Sequence, residues 1–89
     1  MDKNIVKVGV IGCGRVSGHH CRSIHQTKGV DLIAVCDLQI EKANNYHKQF
    51  GAIPYINYHE MLLQNPEINT VAIITPSGMH YEHALEIFA

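Results

Sequence analysis

An α/β fold of the doubly wound class, a parallel sheet with helices on both faces, is what these 89 residues predict, and three observations carry it. Three runs, Ile5 to Ile11, Asp31 to Asp37 and Thr70 to Thr75, are rich in Val and Ile and apolar on both faces, as strands buried on both sides are. Segments of helical period alternate with these runs, which calls for right-handed crossovers and a parallel sheet. In "VGVIGCGRVSGHH", residues 8 to 20, Gly12 and Gly14 stand directly between an apolar run and a polar, helix-like segment.

Taken in order, the first strand is followed by Val16, His20 and Ile24 at helical spacing, and Lys28-Gly29 supplies the cation and glycine of a helix end. After the second strand, Ile40, Ala43, His47 and Phe50 repeat at i, i+3, i+7 and i+10, and Gly51 closes that helix. A short strand is expected at Ile53 to Ile56. Asn57 and Glu60 form a capping-box-like pair for a brief helix through Gln64, ended by "NPE" at 65 to 67. The fourth strand, "TVAIIT", follows. From Gly78 onward, Ala84, Leu85 and Phe88 suggest a final helix. The expected spatial order is 3-2-1-4, incomplete at the C-terminal end. In that order the fourth strand is an apolar edge, which recruits other chain segments, so residues 1–89 are expected to be the N-terminal portion of a larger protein.

Composition narrows the function classes. Hydrophobic residues make up 46 % and charged residues 17 %, the profile of a globular chain rather than a disordered one. A net charge of −1 without Lys/Arg blocks gives no electrostatic footprint for nucleic acid or an anionic membrane. No apolar run approaches the ~18 residues of a membrane span, and "MDKNIVKV" lacks the regions of a secretory signal, so a soluble, cytoplasmic protein is expected. Cys13, Cys21 and Cys36 show no CxxC spacing and read as buried thiols in packing roles.

Three constellations bear chemistry. In the first, Gly12 permits a tight turn out of a strand, Gly14 lets backbone come close to a pyrophosphate, and the N–H groups of Arg15 and Val16 at a helix start can meet the anion. Counting GxGxxG from Gly12 puts the third slot at Ser17, with Gly18 one residue late. A glycine turn without a ligand is the bland alternative; the strand before, the helix after and an acid ending the second strand favour a dinucleotide. The acid is Asp37, 23 residues after Gly14, suited to accept both adenosine-ribose hydroxyls or, more plainly, to cap the helix expected from Leu38. Leu38 and Gln39 follow it and the nearest cation is Lys42, so nothing neutralises a 2′-phosphate and NAD is expected over NADP. The third is "TPSGMH", residues 75 to 80, at the carboxyl end of the fourth strand, where open parallel sheets bind ligands. Pro76 and Ser77 would shape the pocket near the second half of a dinucleotide, or Ser77 would only cap the final helix with His80 and His83 riding its first turns. His80 and His83 lack the two further ligands a metal site needs; no metal is expected. His20 is expected on the packed face of the first helix and His19 off it.

These motifs, with "AVCDLQIEKA" and "YINYHEMLLQNPEINTVAIITPSGMHYEHALE", resemble the N-terminal domain of the Gfo/Idh/MocA family of oxidoreductases over nearly the whole chain. The resemblance implies a Rossmann-like domain of an NAD(P)-dependent enzyme acting at a hydroxyl-bearing carbon of a sugar, sugar nucleotide or cyclitol. It assigns Gly12, Gly14, Arg15 and Val16 to the pyrophosphate, Asp37 to the adenosine ribose, and Thr75, Pro76, Ser77 and His80 to the nicotinamide side. Ser77 departs from the asparagine often found there. The family's Glu-Lys-Pro motif and its substrate domain do not occur in these residues, so the chain alone is expected to be inactive, with no catalytic residue of its own. The family often pairs into homo-oligomers through that second domain. A non-catalytic NAD(H)-binding sensor or scaffold is the alternative. An S-adenosylmethionine-dependent methyltransferase is a further one, against which Val10 and Ile11 stand where such loops usually carry an acid.

Overall fold

The computed structural model describes residues 5–12, 17–75 and 78–84. Its elements are β1 (Val6–Ile11), α1 (Ser17–Gln26), β2 (Val30–Cys36), α2 (Ile40–Phe50), β3 (Ile53–Tyr55), α3 (Tyr58–Gln64), β4 (Thr70–Thr75) and β5 (Gly78–His83). They build one sheet in the order β3-β2-β1-β4-β5. The first four strands are parallel to their neighbours, as the apolar runs predict, and β5 returns antiparallel to β4.

Each face of the sheet has its own core. On one, Val8, Val10 and Val35 pack with Cys21 and Ile24 of α1 and Ala43 and Tyr46 of α2. On the other, Ala34, Cys36 and Val71 pack with Met61 and Leu62 of α3 and with Ile68. The alternation of β1 between the two layers explains why its sequence shows no polar face. Gly9, in the middle of β1, makes room for α3: a β-carbon there would come within 2.8 Å of Met61 Cε. Met61 is fully buried, and burial of a side chain of this size contributes about 1.5–3 kcal/mol.

Local signals set most boundaries. Asn57 caps α3, its Oδ1 accepting from the Glu60 amide at 3.1 Å. Gly51 ends α2 in the left-handed region, φ 77°, with its amide on the His47 carbonyl, a conformation that favours glycine. On α2 the buried side chains are Ala43 and Tyr46, whereas the sequence pattern had put His47 on that face. The aromatic body of Tyr46 buries more apolar surface and stacks on Phe50 at 6.0 Å between ring centroids. His47 stays exposed and its Nδ1–H donates to the Ala52 carbonyl at 3.0 Å. On α1, Cys21 and Ile24 are buried and His20 is half-buried; Val16 lies outside the described residues.

The segment after β4 departs from expectation. Residues 78 to 83 form β5 rather than a helix; of the residues whose spacing suggested a helix, Leu85 and Phe88 lie outside the described residues. The outer edge of β4 exposes a row of N–H and C=O groups, and the antiparallel return pairs them from Thr70↔His83 to Thr75↔Gly78, which satisfies the backbone in a way a helix cannot. β4 is therefore an interior strand, as its apolar sequence requires, and His83 lies on β5 rather than on a helical turn.

At the opposite end of the sheet Asn69 ties β1 to β4. Its Oδ1 accepts from the Lys7 amide at 3.1 Å, and its own amide donates to the Lys7 carbonyl at 3.0 Å.

Candidate functional site

The parallel strands β1, β2, β3 and β4 all end at one edge of the sheet. From β1 the chain builds outward through β2 to β3 and then crosses back to place β4 on the other side of β1. The reversal makes the carboxyl ends of β1 and β4 the switch point, the place at which open α/β sheets bind ligands.

Gly12 sits at that point. It leaves β1 with φ 96°, and a β-carbon there would lie 2.6 Å from the Ile74 carbonyl oxygen. Two independent requirements, a left-handed backbone and a backbone contact too close for any side chain, converge on glycine. The Gly12 amide donates to the Cys36 carbonyl at 2.8 Å, so this N–H is spent on the sheet. Gly14, Arg15 and Val16 lie outside the described residues.

Asp37 stands one strand over, immediately after Cys36. Its amide donates to the Tyr55 carbonyl at 3.0 Å and its Oδ1 accepts from the Gln39 amide at 2.8 Å. This corrects the expectation that Asp37 caps a helix beginning at Leu38: α2 starts at Ile40, its N-cap is Gln39, and that residue makes no side-chain capping bond. The Asp37 carboxylate instead folds over a short turn at the sheet edge. Gly12 and Asp37 are thereby linked through one hydrogen bond and one peptide bond.

The two described cysteines, Cys21 and Cys36, are buried. Burial pushes the Cys21 thiol up to about 11. The Cys36 thiol is likewise raised to about 11, first by burial and then by the negative charge of Asp37. Neither has the lowered pKa of a reactive thiol. Cys13 lies outside the described residues.

Of "TPSGMH", Thr75 is the last residue of β4 and pairs with Gly78 across residues 76 and 77; Pro76 and Ser77 lie outside the described residues. His80 is on β5, paired with Ile73, in the row that runs through Ile73 to Ile11. It is therefore two strands from β1. Its imidazole is exposed, with Nε2 3.4 Å from Glu82 Oε1. Among the described residues no group of three His, Cys, Asp or Glu stands together as metal ligands do.

Sequence reasoning missed two residues, one bonded to Asp37 and one bonded to that neighbour. Tyr55 supplies the carbonyl that holds the Asp37 amide, and its hydroxyl accepts from Asn65 Nδ2 at 2.9 Å. Asn65 is visible in the sequence only as part of a helix-ending "NPE". An apolar groove of about 370 Å³ lined by Val6, Ile24, Val30 and Tyr81 among others opens at the amino ends of the strands, away from this edge.

Comparison with known proteins agrees with the geometry. Residues 6–89 match the sequence model of the Gfo/Idh/MocA group, described as an oxidoreductase family with an NAD-binding Rossmann fold. The chain is 32 % identical over 84 residues to an inositol 2-dehydrogenase/D-chiro-inositol 3-dehydrogenase of Lactiplantibacillus plantarum, covering 91 % of this chain and 24 % of that protein. The WlbA dehydrogenase of Bordetella pertussis, solved with NADH and UDP-GlcNAcA, superposes with a TM-score of 0.72 at 30 % identity over 81 % of this chain and 22 % of that one. A 3-ketoreductase from Actinomadura kijaniata, solved with TDP-benzene and NADP, shares the fold with a TM-score of 0.71 at 23 % identity, over 82 % of this chain and 23 % of that one. The chain spans about a quarter of the length of the curated relatives it matches.

Proposed function

The chain belongs to the Gfo/Idh/MocA oxidoreductase family, in the part that forms its NAD-binding Rossmann fold, and on that premise we propose that it is the cofactor-holding portion of an NAD-dependent dehydrogenase. The reaction is hydride transfer at a hydroxyl-bearing carbon of a sugar, sugar nucleotide or cyclitol. The observation that carries this reading is the juxtaposition of Gly12 and Asp37: an obligate glycine leaving β1 at the switch point, with a carboxylate at the end of the neighbouring strand.

These residues fit an extended dinucleotide. A bound nicotinamide cofactor would supply the hydride acceptor or donor. Gly12 lets the carboxyl ends of β1 and β4 approach through backbone alone. Because its own amide bonds to Cys36, the donors for a pyrophosphate are the N–H groups that follow, at Gly14, Arg15 and Val16, ahead of the positive amino end of α1. Asp37 accepts the adenosine-ribose hydroxyls. Its negative charge repels a 2′-phosphate, and the following residues Leu38 and Gln39 are neutral, which favours NAD over NADP. Thr75, Pro76, Ser77 and His80 line the nicotinamide side.

Proton transfer and most substrate contacts are assigned to parts of the protein beyond these residues, since the relatives are about four times as long. The protein so read is cytoplasmic and works on a small-molecule substrate. The test is oxidation of a panel of cyclitols, sugars and sugar nucleotides by the protein with NAD, followed by NADH absorbance. Turnover of at least one supports the dehydrogenase; NADH binding without turnover of any leaves a cofactor-binding sensor.

A further inference from the structure

We propose that Tyr55 and Asn65 form a brace that positions the Asp37 carboxylate, which makes them positioning residues for the adenosine-ribose half of the cofactor site; this rests on the role given to Asp37 above. β3 is only three residues long and is the outermost strand of its side of the sheet. So short an edge strand has few ladder bonds to hold it in register. Yet its last residue supplies the carbonyl that accepts the Asp37 amide at 3.0 Å. Asp37 Oδ1 also accepts from the Gln39 amide at 2.8 Å, a bond that is local and moves with the turn. The Tyr55 carbonyl holds Asp37 from the β3 side, while the Gly12 amide holds the preceding carbonyl, that of Cys36, from β1.

Tyr55 is itself held through its hydroxyl. Asn65 Nδ2 donates to Tyr55 Oη at 2.9 Å and to the Met61 carbonyl at 2.8 Å. The Asn65 amide donates to the same Met61 carbonyl at 3.1 Å, and the Asn65 carbonyl accepts from the Ile68 amide at 3.0 Å. Asn65 is only 5 % exposed, and a buried amide is costly unless satisfied. Packing alone would be served by an apolar residue of similar size. What the amide adds is a fixed, charge-free link from α3, which is anchored in the core by Met61, to the strand end that sets Asp37.

A double-mutant cycle tests this. NADH affinity is measured for the unaltered protein, Tyr55→Phe, Asp37→Asn and the double variant, with amide hydrogen exchange at Asp37 followed in the first two. Tyr55→Phe is expected to weaken NADH about fivefold, the worth of one net hydrogen bond, and to speed exchange of the Asp37 amide. With Asp37→Asn already present, the same change should cost no more than about twofold, the scatter of independent sites. Asn65→Ala, run through the same cycle as a second arm, should show the same coupling. Losses of equal size in both backgrounds, or no loss in either and unaltered exchange at Asp37, overturn the brace. Failure of the unaltered protein to bind NADH would instead overturn the reading of Asp37, and the exchange of its amide would still report whether the brace exists.

Discussion

A β-carbon on Gly12 would lie 2.6 Å from the carbonyl oxygen of Ile74. Two adjacent parallel strands thus meet, at their carboxyl ends, through bare backbone. The contact explains the glycine before any ligand is considered.

Gly12→Ala should therefore damage the fold as well as the site. The positive φ costs about 1–2 kcal/mol and the clash with backbone, which cannot swing aside, about 1–3 more. Gly51 has a comparable φ of 77° but nothing within 4 Å of its missing β-carbon, so Gly51→Ala should cost only about 1–2 kcal/mol. Denaturant unfolding of the two variants measures the difference; equal losses would mean that the Ile74 contact is not tight.

Asp37→Ala should separate binding from stability in the other direction. The turn bond to the Gln39 amide is exposed and its loss should cost about 1 kcal/mol or less. Hydrogen bonds to a charged carboxylate are worth about 1.5–3 kcal/mol each, so NADH affinity should fall roughly 10- to 100-fold. Combining Asp37→Ser with Leu38→Arg should turn the preference toward NADPH, because it removes the repelling charge and adds a planar cation for the 2′-phosphate. Paired titrations with NADH and NADPH read both effects.

Asn57→Ala removes the cap whose Oδ1 accepts from the Glu60 amide and should cost about 1 kcal/mol. In a domain of this size that is a fall in melting temperature of about 4–8 °C. Asn57 stands at the amino end of α3, and the link to Tyr55 leaves from its carboxyl end at Asn65, so NADH affinity should be unchanged.

The buried thiols set a prediction in alkali. In the folded state Cys21 and Cys36 are raised to about 11, against 9.0 unperturbed. Between these values the unfolded chain loses thiol protons that the folded one retains, so stability falls as pH rises from about 9 to about 11 and the contribution is fully present below 9. Melting temperature followed across that window should decline, and Cys21→Ala with Cys36→Ala should flatten the decline. Alkylation of Cys21 and Cys36 at neutral pH should be slow until the protein is unfolded.

The parts of this fold written in local chemistry could be read from the sequence. The Val/Ile runs, the Asn57–Glu60 pair and Gly51 each act within a few residues, and the strands, the α3 cap and the α2 terminus stand where those signals lie. Gly12 and Asp37 were legible for the same reason: a turn out of one strand and an acid ending the next are local patterns with a tertiary consequence. What was not legible depends on partners distant in sequence. β5 forms because β4 has an unpaired edge, whereas the apolar spacing that suggested a helix starts only at Ala84. Tyr46 displaces His47 from the core because a neighbouring ring, Phe50, stacks on it. Asn65 reads as a helix stop, and only the fold shows that it reaches back ten residues to Tyr55.

The central claim is that the Gly12–Asp37 edge holds NAD, and calorimetric titration of the protein with NADH and with NADPH, before and after Asp37→Ala, tests it most directly. NADH should bind more tightly than NADPH, and Asp37→Ala should remove most of that preference while the melting temperature changes little. A protein that binds neither nucleotide, or that prefers NADPH with Asp37 intact, would contradict the account.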